Sequence, residues 1–132
     1  MSQVFAADGV SSTAGGTTQV STITTIITGN FVNPPFGNAK TLVSGMVAII
    51  PGTGSTGIYV TLWRNPQAEN VSLIPSTLLS VTAGNSYVIT VQGVDIIPDG
   101  RPVQYALKVT QAGASVGATW GNAAIQALLI SG

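Results

Sequence analysis

Apolar and polar positions alternate most regularly in the C-terminal third of the chain, residues 80–131. From residue 103 to residue 110, apolar side chains occupy every second position, which is the period of a strand with one buried and one wetter face. The preceding segment, residues 87–94, is rich in β-branched side chains and follows a turn at residues 83–85. These patterns predict two long strands, followed by a third at the C-terminal end.

The third segment, residues 118–130, is apolar at nearly every position apart from Asn122 and Gln126. A strand without a polar face needs one cover from its own domain and a second cover from another surface. The simplest second cover is another copy of the chain, so this strand predicts self-association. The residues predicted to form the subunit interface are Trp120, Ala124, Leu128 and Ile130.

Shorter segments with strand character fill the middle of the chain, separated by turns that contain Pro, Gly and Asn. Because no stretch has the helical period, we predict an all-β chain of about eight strands. The long final strands favour an antiparallel jelly-roll sandwich of about eight strands, and the alternative is an immunoglobulin-like sandwich of about seven. The shorter segments are residues 19–28, 39–50, 58–64, 71–74 and 77–81.

The N-terminal segment, residues 1–18, differs in composition from the rest. Residues 11–18 are small and polar, and they have too little apolar area to offset the entropy lost on ordering. We therefore predict a flexible arm over residues 1–18, ahead of a single domain over residues 19–132. Val4, Phe5 and Val10 are predicted to anchor this arm on a partner, and the alternative is a disordered tail with incidental apolar residues.

Length and charge limit the possible functions. A chain of 132 residues corresponds to one domain. Only 6% of the residues are charged, against about 25% in typical globular domains, and the four basic residues cannot form the stripe that binds nucleic acid. A weakly charged surface favours a permanent assembly. No apolar run reaches the roughly 20 residues that span a bilayer, so no membrane partner is predicted.

Cysteine and histidine are both absent from the sequence. Their absence excludes Cys nucleophiles, Ser-His-Asp triads and nearly all zinc sites, so we predict a non-enzymatic protein without a cofactor. The first residues lack the basic and apolar regions of a signal peptide, so we expect the protein to be used without export.

Two acidic residues form the best candidate for a metal site. Asp95 and Asp99 are four positions apart, and in a loop both carboxylates could reach one calcium ion. Calcium takes about six to eight oxygen ligands, so two carboxylates are too few. We therefore interpret Asp99 as part of a turn and Asp95 as a solvated strand end, with no metal bound.

The aromatic residues offer a candidate sugar-stacking surface, as in lectin-like jelly rolls. Because they make up only 6% of the chain, we assign most of them to the core and to subunit contacts. The residues concerned are Tyr59, Trp63, Tyr87, Tyr105 and Trp120.

Three segments resemble the end of small trimeric jelly-roll domains of the tumour-necrosis-factor-like type found in phages and bacteria. They are residues 81–90 (VTAGNSYVIT), 105–110 (YALKVT) and 120–128 (WGNAAIQAL). The resemblance implies a homotrimer about a threefold axis and supplies no catalytic residues. The short arm without a fibre shaft is similar to a bacteriophage capsid decoration protein, made in the host cytoplasm and bound to the shell protein at the virion surface. The alternative is a carbohydrate- or receptor-binding tip of a phage fibre.

Overall fold

The computed structural model describes residues 3–18, 20, 23–31, 39–64, 71–74, 78–97 and 103–131. These residues contain ten strands and no helix, so no helix among them could span a membrane. The strands are β1 (Gln3–Ser12), β2 (Gly16–Thr17), β3 (Thr24–Phe31), β4 (Ala39–Ile50), β5 (Gly57–Arg64), β6 (Val71–Ser72), β7 (Leu78–Ser80), β8 (Tyr87–Ile97), β9 (Val103–Ala112) and β10 (Thr119–Ser131).

The strands form two antiparallel sheets that pack face to face. The first sheet has the order β1-β10-β4-β8, with β2 beside β10. The second has the order β3-β9-β5, with β6 and β7 both paired to β5. Neighbouring strands in the sequence mostly lie in opposite sheets, which is the arrangement of a jelly roll. The prediction of an all-β jelly-roll sandwich is confirmed.

The core lies between the two sheets and is built from every second residue of the long strands. In β9 the alternation is the predicted one, since Val103, Tyr105, Leu107 and Val109 are all buried. Each large apolar side chain that is fully buried contributes about 1.5–3 kcal/mol to stability. Their partners from the other strands include Val43, Val47, Ile58, Leu62 and Ile125.

The C-terminal strand, β10, lies inside the first sheet, between β1 and β4. Ala123, Ile125 and Ala127 face the core and are buried, whereas Gln126 is exposed on the opposite face. A register shift against β4, between Trp120 and Ala123, changes the face on which the first residues of the strand lie. The strand is therefore covered on one face by its own domain, and the other face is open.

The first part of the N-terminal segment, which was predicted to be a flexible arm, forms a strand in the structure. Gln3–Ser12 forms β1, and its backbone pairs with β10 from Ser131 to Ala123. Val10 packs against the core of its own chain. The Gly, Ser and Ala residues of this segment become ordered because β10 supplies hydrogen-bond partners for their backbone groups, which composition does not reveal. The side chains of Val4 and Phe5 lie outside the described part of the structure.

Hydrogen bonds around Gln111 join the loops at one end of the sandwich. The buried Gln111 side chain accepts a hydrogen bond from the Gly52 amide at 2.8 Å and donates one to the Val116 carbonyl at 3.0 Å. A Cβ atom at Gly52 would overlap the Val116 carbonyl oxygen, so only glycine fits there. These contacts fix the ends of β4 and β10, and with them one end of the first sheet.

Candidate functional site

The outward face of the first sheet, which we call the front face, is the candidate functional surface. It carries the residues that alternate with buried core residues such as Val43, Ile89 and Ile125. The residues of the front face are Lys40, Leu42, Ser44, Met46, Ala48, Ile50, Val88, Thr90, Gln92, Val94, Ile96, Ala124, Gln126 and Leu128.

Strand β8 exposes the most apolar area on the front face. Val88, Val94 and Ile96 are 72%, 59% and 51% exposed, although all three are β-branched residues of the type that usually packs against a neighbour. Among the side chains of this face that the structure describes, Lys40 is the only charged one. Large exposed apolar side chains on a face with little charge are characteristic of a surface that another protein covers.

Strand register places the apolar side chains of the front face in rows. Leu128 of β10 lies opposite Leu42 of β4, which in turn lies opposite Val94 of β8. In the same way, Ala124 lies opposite Met46. Residues directly opposite each other on one face have Cβ atoms about 4.5–5.5 Å apart, so each row forms a continuous surface across the sheet.

Two hollows indent the front face. The larger, of about 420 Å³, lies between the ends of β4, β8 and β10 and is bordered on this face by Ala48, Ile50 and Val88. The smaller, of about 250 Å³, is bordered by Met46 and Ala124, among others. Apolar side chains of another molecule could fill both hollows without meeting a charged group from the described residues that border them.

The structure brings together two of the four residues predicted for the subunit interface. Ala124 and Leu128 lie on the front face and are half-buried. Trp120 packs against the core of its own chain, because the register shift in β10 turns it away from that face. The backbone of Ile130 pairs with Lys40 of β4, and its side chain lies outside the described part. The interface role of these residues stays a prediction.

Sequence reasoning missed the exposed residues of β8. The signal present in the sequence is that Val88, Val94 and Ile96 alternate with positions such as Ile89 and Val91 along one strand. Both sets are apolar enough to face a core, so periodicity alone does not reveal which set is covered. The pairing of β8 with β4 settles the question by placing Ile89 and Val91 on the inner face.

The outward face of the second sheet, the back face, carries two of the aromatic residues considered for sugar binding. Tyr59 and Trp63 both lie on the outward side of β5 and are half-buried. The Lys108 ammonium lies 5.0 Å from the centroid of the Trp63 ring, and the Trp63 Nε1 donates to the Thr61 hydroxyl at 2.8 Å. Stacking of a sugar on that side of the ring would require the displacement of Lys108.

The remaining aromatic candidates are not part of such a surface. Tyr105 is fully buried. Trp120 packs on the core, as described above, and Tyr87 accepts a hydrogen bond from the Thr82 amide at 2.8 Å, which lowers the pKa of its hydroxyl. The five aromatic residues are therefore divided between the core and the back face.

Asp95 belongs to a buried polar cluster that links the two sheets, and this corrects its interpretation as a solvated strand end. Its carboxylate accepts hydrogen bonds from Arg64 at 2.5 Å and from the Tyr105 hydroxyl at 2.8 Å. Burial, reinforced by the nearby carboxylate, raises the pKa of Tyr105 well above its usual range. Arg64 and Tyr105 belong to the second sheet and Asp95 to the first, so the cluster holds the sheets together.

The calcium site considered for Asp95 and Asp99 finds no support in the described residues. Both oxygens of Asp95 already have partners within its own chain. Asp99 lies outside the described part. Where the structure describes the chain, no group of three or more acidic or other metal-ligating side chains could hold an ion.

Comparison with known proteins gives a likeness in fold. No protein-family model and no curated protein matches the sequence. A chain in the structure of infectious bursal disease virus Gt strain has a TM-score of 0.60 and 11% identity, over 96% of this chain and 34% of that chain. A chain in the crystal structure of the infectious bursal disease virus VP2 subviral particle has a TM-score of 0.57 and 12% identity, over 96% and 33%.

This chain therefore spans about a third of the length of those viral chains. The EclA C-terminal domain, described as a sugar-binding protein, has a TM-score of 0.42 and 16% identity over 91% of this chain and 78% of that chain, which is too weak a likeness for an argument. At these identities the likeness to the viral chains concerns the fold alone.

Proposed function

We propose that this protein is a non-enzymatic structural component of a virus particle. The observation that carries the proposal is the front face, which exposes large apolar residues of β8 and has Lys40 as its only charged side chain among those described. A permanent assembly is the usual reason for such a surface on a small domain. The similarity in fold to chains of a virus particle is the reason for proposing a viral role.

In its finer form, the proposal is a homotrimer that decorates the outer surface of a phage capsid. Three copies pack their front faces around a threefold axis, with Ala124, Leu128 and Val94 near the contacts. The trimer binds the major shell protein and stabilises it, and the protein is made in the host cytoplasm. Val4 and Phe5, near the start of β1, remain predicted contacts with the shell.

The particle that carries this protein provides the test. Particles that lack the protein are expected to lose resistance to heat and osmotic shock, whereas particles reconstituted with the purified protein regain it. Unchanged resistance in the protein's absence would contradict the stabilising role.

Carbohydrate binding is the alternative, because Tyr59 and Trp63 lie on one side of β5. The position of Lys108 over the Trp63 ring argues against it. A glycan array is therefore expected to give no specific signal. Micromolar or tighter binding of a sugar, lost in Trp63→Ala and retained in Val94→Ala, would favour the fibre tip instead.

A further inference from the structure

Within the described part of the chain, the two sheets have four edges, and three of them have features that discourage pairing with another strand. β1 has a register shift between Val4 and Ala6, and β3 has one between Thr25 and Ile27. At the other edge of the second sheet, β6 and β7 are only two and three residues long. Bulges and short edge strands are among the means by which proteins prevent edge-to-edge association.

The remaining edge, β8, has none of these features. It is 11 residues long and keeps one register with β4 along its whole length. It contains neither lysine nor proline, and its single charged residue, Asp95, is buried and paired with Arg64. Since β4 is its only strand partner in the part of the chain that the structure describes, one side of β8 is open to pairing.

A cleft between the sheets lies beside this open edge. It has a volume of about 330 Å³ and is lined by apolar side chains from both sheets, among them Val60, Leu79, Ile89 and Val91. Leu79 is 42% exposed, so the core is incompletely covered here. A strand added beside β8 would extend the first sheet across the cleft and cover these side chains.

Two contacts define how far the open stretch of β8 extends. Ile74 packs so closely against Gly93 that a Cβ atom there would lie 2.9 Å from its side chain, which closes the sandwich at that point. Further along the strand, the carbonyl of Ile96 accepts a hydrogen bond from Arg64 at 3.2 Å. The open stretch therefore runs from Tyr87 up to Gly93, and Thr90 lies midway between these two residues.

We propose that β8 pairs antiparallel with β8 of a second copy, about a twofold axis at Thr90. A twofold contact brings the same surface of both copies together, so a surface with a net charge would meet a like charge. Residues 71–94, which include the described border of the cleft formed by Leu79, Ile89 and Val91, contain no charged residue. This lack of charge favours a second copy over a charged peptide as the occupant.

The pairing goes beyond the proposed trimer and does not depend on it. Hydrogen bonds along the edge join the two strands side by side, so the first sheets of both copies become one continuous sheet. The side chains of the front face remain available on that sheet. One copy can thus make the front-face contact and the edge contact at the same time.

Engineered cysteines provide the test, because the chain has none of its own. In the pairing centred on Thr90, residue 88 of one copy lies opposite residue 92 of the other, with Cα atoms about 4.5–5.5 Å apart, which suits a disulfide. Under mild oxidation, we expect Thr90→Cys alone to form covalent dimers on a denaturing gel. An equal mixture of Val88→Cys and Gln92→Cys is expected to do the same.

Two variants serve as controls. Val88→Cys alone is expected to stay monomeric on the gel, because its two copies would lie about 13 Å apart along the paired strands. Thr110→Cys, in β9 of the second sheet, is expected to stay monomeric as well. All four positions are at least partly exposed, so circular dichroism is expected to show unchanged strand content.

The outcomes separate this inference from the proposed function. Absence of cross-links from both Thr90→Cys and the mixture overturns the edge pairing, and a trimeric mass in light scattering would still support the front-face assembly. Cross-links in a protein that forms no trimer would support the edge pairing alone. A cross-link in Val88→Cys by itself would overturn the register centred on Thr90.

Discussion

The carboxylate of Asp95 is held away from solvent by two side chains of the opposite sheet. Arg64 and Tyr105 together satisfy both of its oxygens. When one member of a buried ion pair is removed, the charge left behind is destabilising by about 3–5 kcal/mol, whereas replacement of the whole pair by apolar residues is often neutral. The contribution of each of these side chains to the free energy of unfolding therefore depends on the other two.

A double-mutant comparison tests this dependence. Asp95→Ala is expected to lower the free energy of unfolding by about 3–5 kcal/mol, because it leaves the Arg64 charge buried without its partner. The double variant Arg64→Met with Asp95→Leu is expected to lower it by less than the sum of the effects of Arg64→Met alone and Asp95→Leu alone. Urea denaturation measures all of these, and Gln92→Ala on the exposed side of β8 is the control, with a change of about 0.5 kcal/mol or less. A double variant whose loss of stability equals the sum of the two single losses would contradict this dependence.

The sequence did not predict this cluster because its members are distant from one another along the chain. Arg64 and Asp95 are separated by 31 positions, and no local pattern connects them. A single aspartate near a strand end resembles a solvated residue until the packing of the sheets is known. Conversely, the burial of Tyr105 follows from the strict alternation of β9, which is a local property and was predicted correctly.

At the scale of elements, β1 shows how strand partners override composition. Its Gly, Ser and Ala residues have low strand propensity, and alone they predict an unfolded segment. Its partner, β10, lies at the other end of the sequence, so the pairing is not visible in any short window. The strands with strong alternation were predictable, whereas β1 and the choice of the open face on β8 required the topology.

A truncation tests the place of β1 in the sheet. Deletion of residues 1–12 is expected to lower the thermal midpoint of unfolding and to promote aggregation, because it removes the strand that covers one side of β10. Differential scanning calorimetry and circular dichroism measure the effect. A chain extended at its N-terminus by several Gly and Ser residues is the control for altering the terminus.

A truncated protein with unchanged strand content and unchanged midpoint would contradict the role of β1. It would restore the interpretation of the segment as an arm attached to a complete domain. In that case, the loss of binding to a larger particle would identify the segment as a tether.

At the scale of the whole molecule, the structure combines a core between two sheets with one open face. The core is covered by the two sheets except at the cleft beside β8, and the loops at one end are joined through Gln111. The front face, in contrast, leaves Val88, Val94 and Ile96 largely exposed. The central claim is that other copies of the chain cover this face through apolar burial.

Light scattering of the purified protein at low and high salt tests this claim most directly. We expect the mass of three chains, or of a multiple of three, at both salt concentrations, because apolar contacts are not screened by ions. Val94→Glu places a charge in the row formed with Leu42 and Leu128 and is expected to abolish the threefold assembly, whereas Thr110→Glu on the back face is expected to leave it unchanged. A wild-type protein that is monomeric at both salt concentrations, or a Val94→Glu variant with the wild-type mass, would contradict the account.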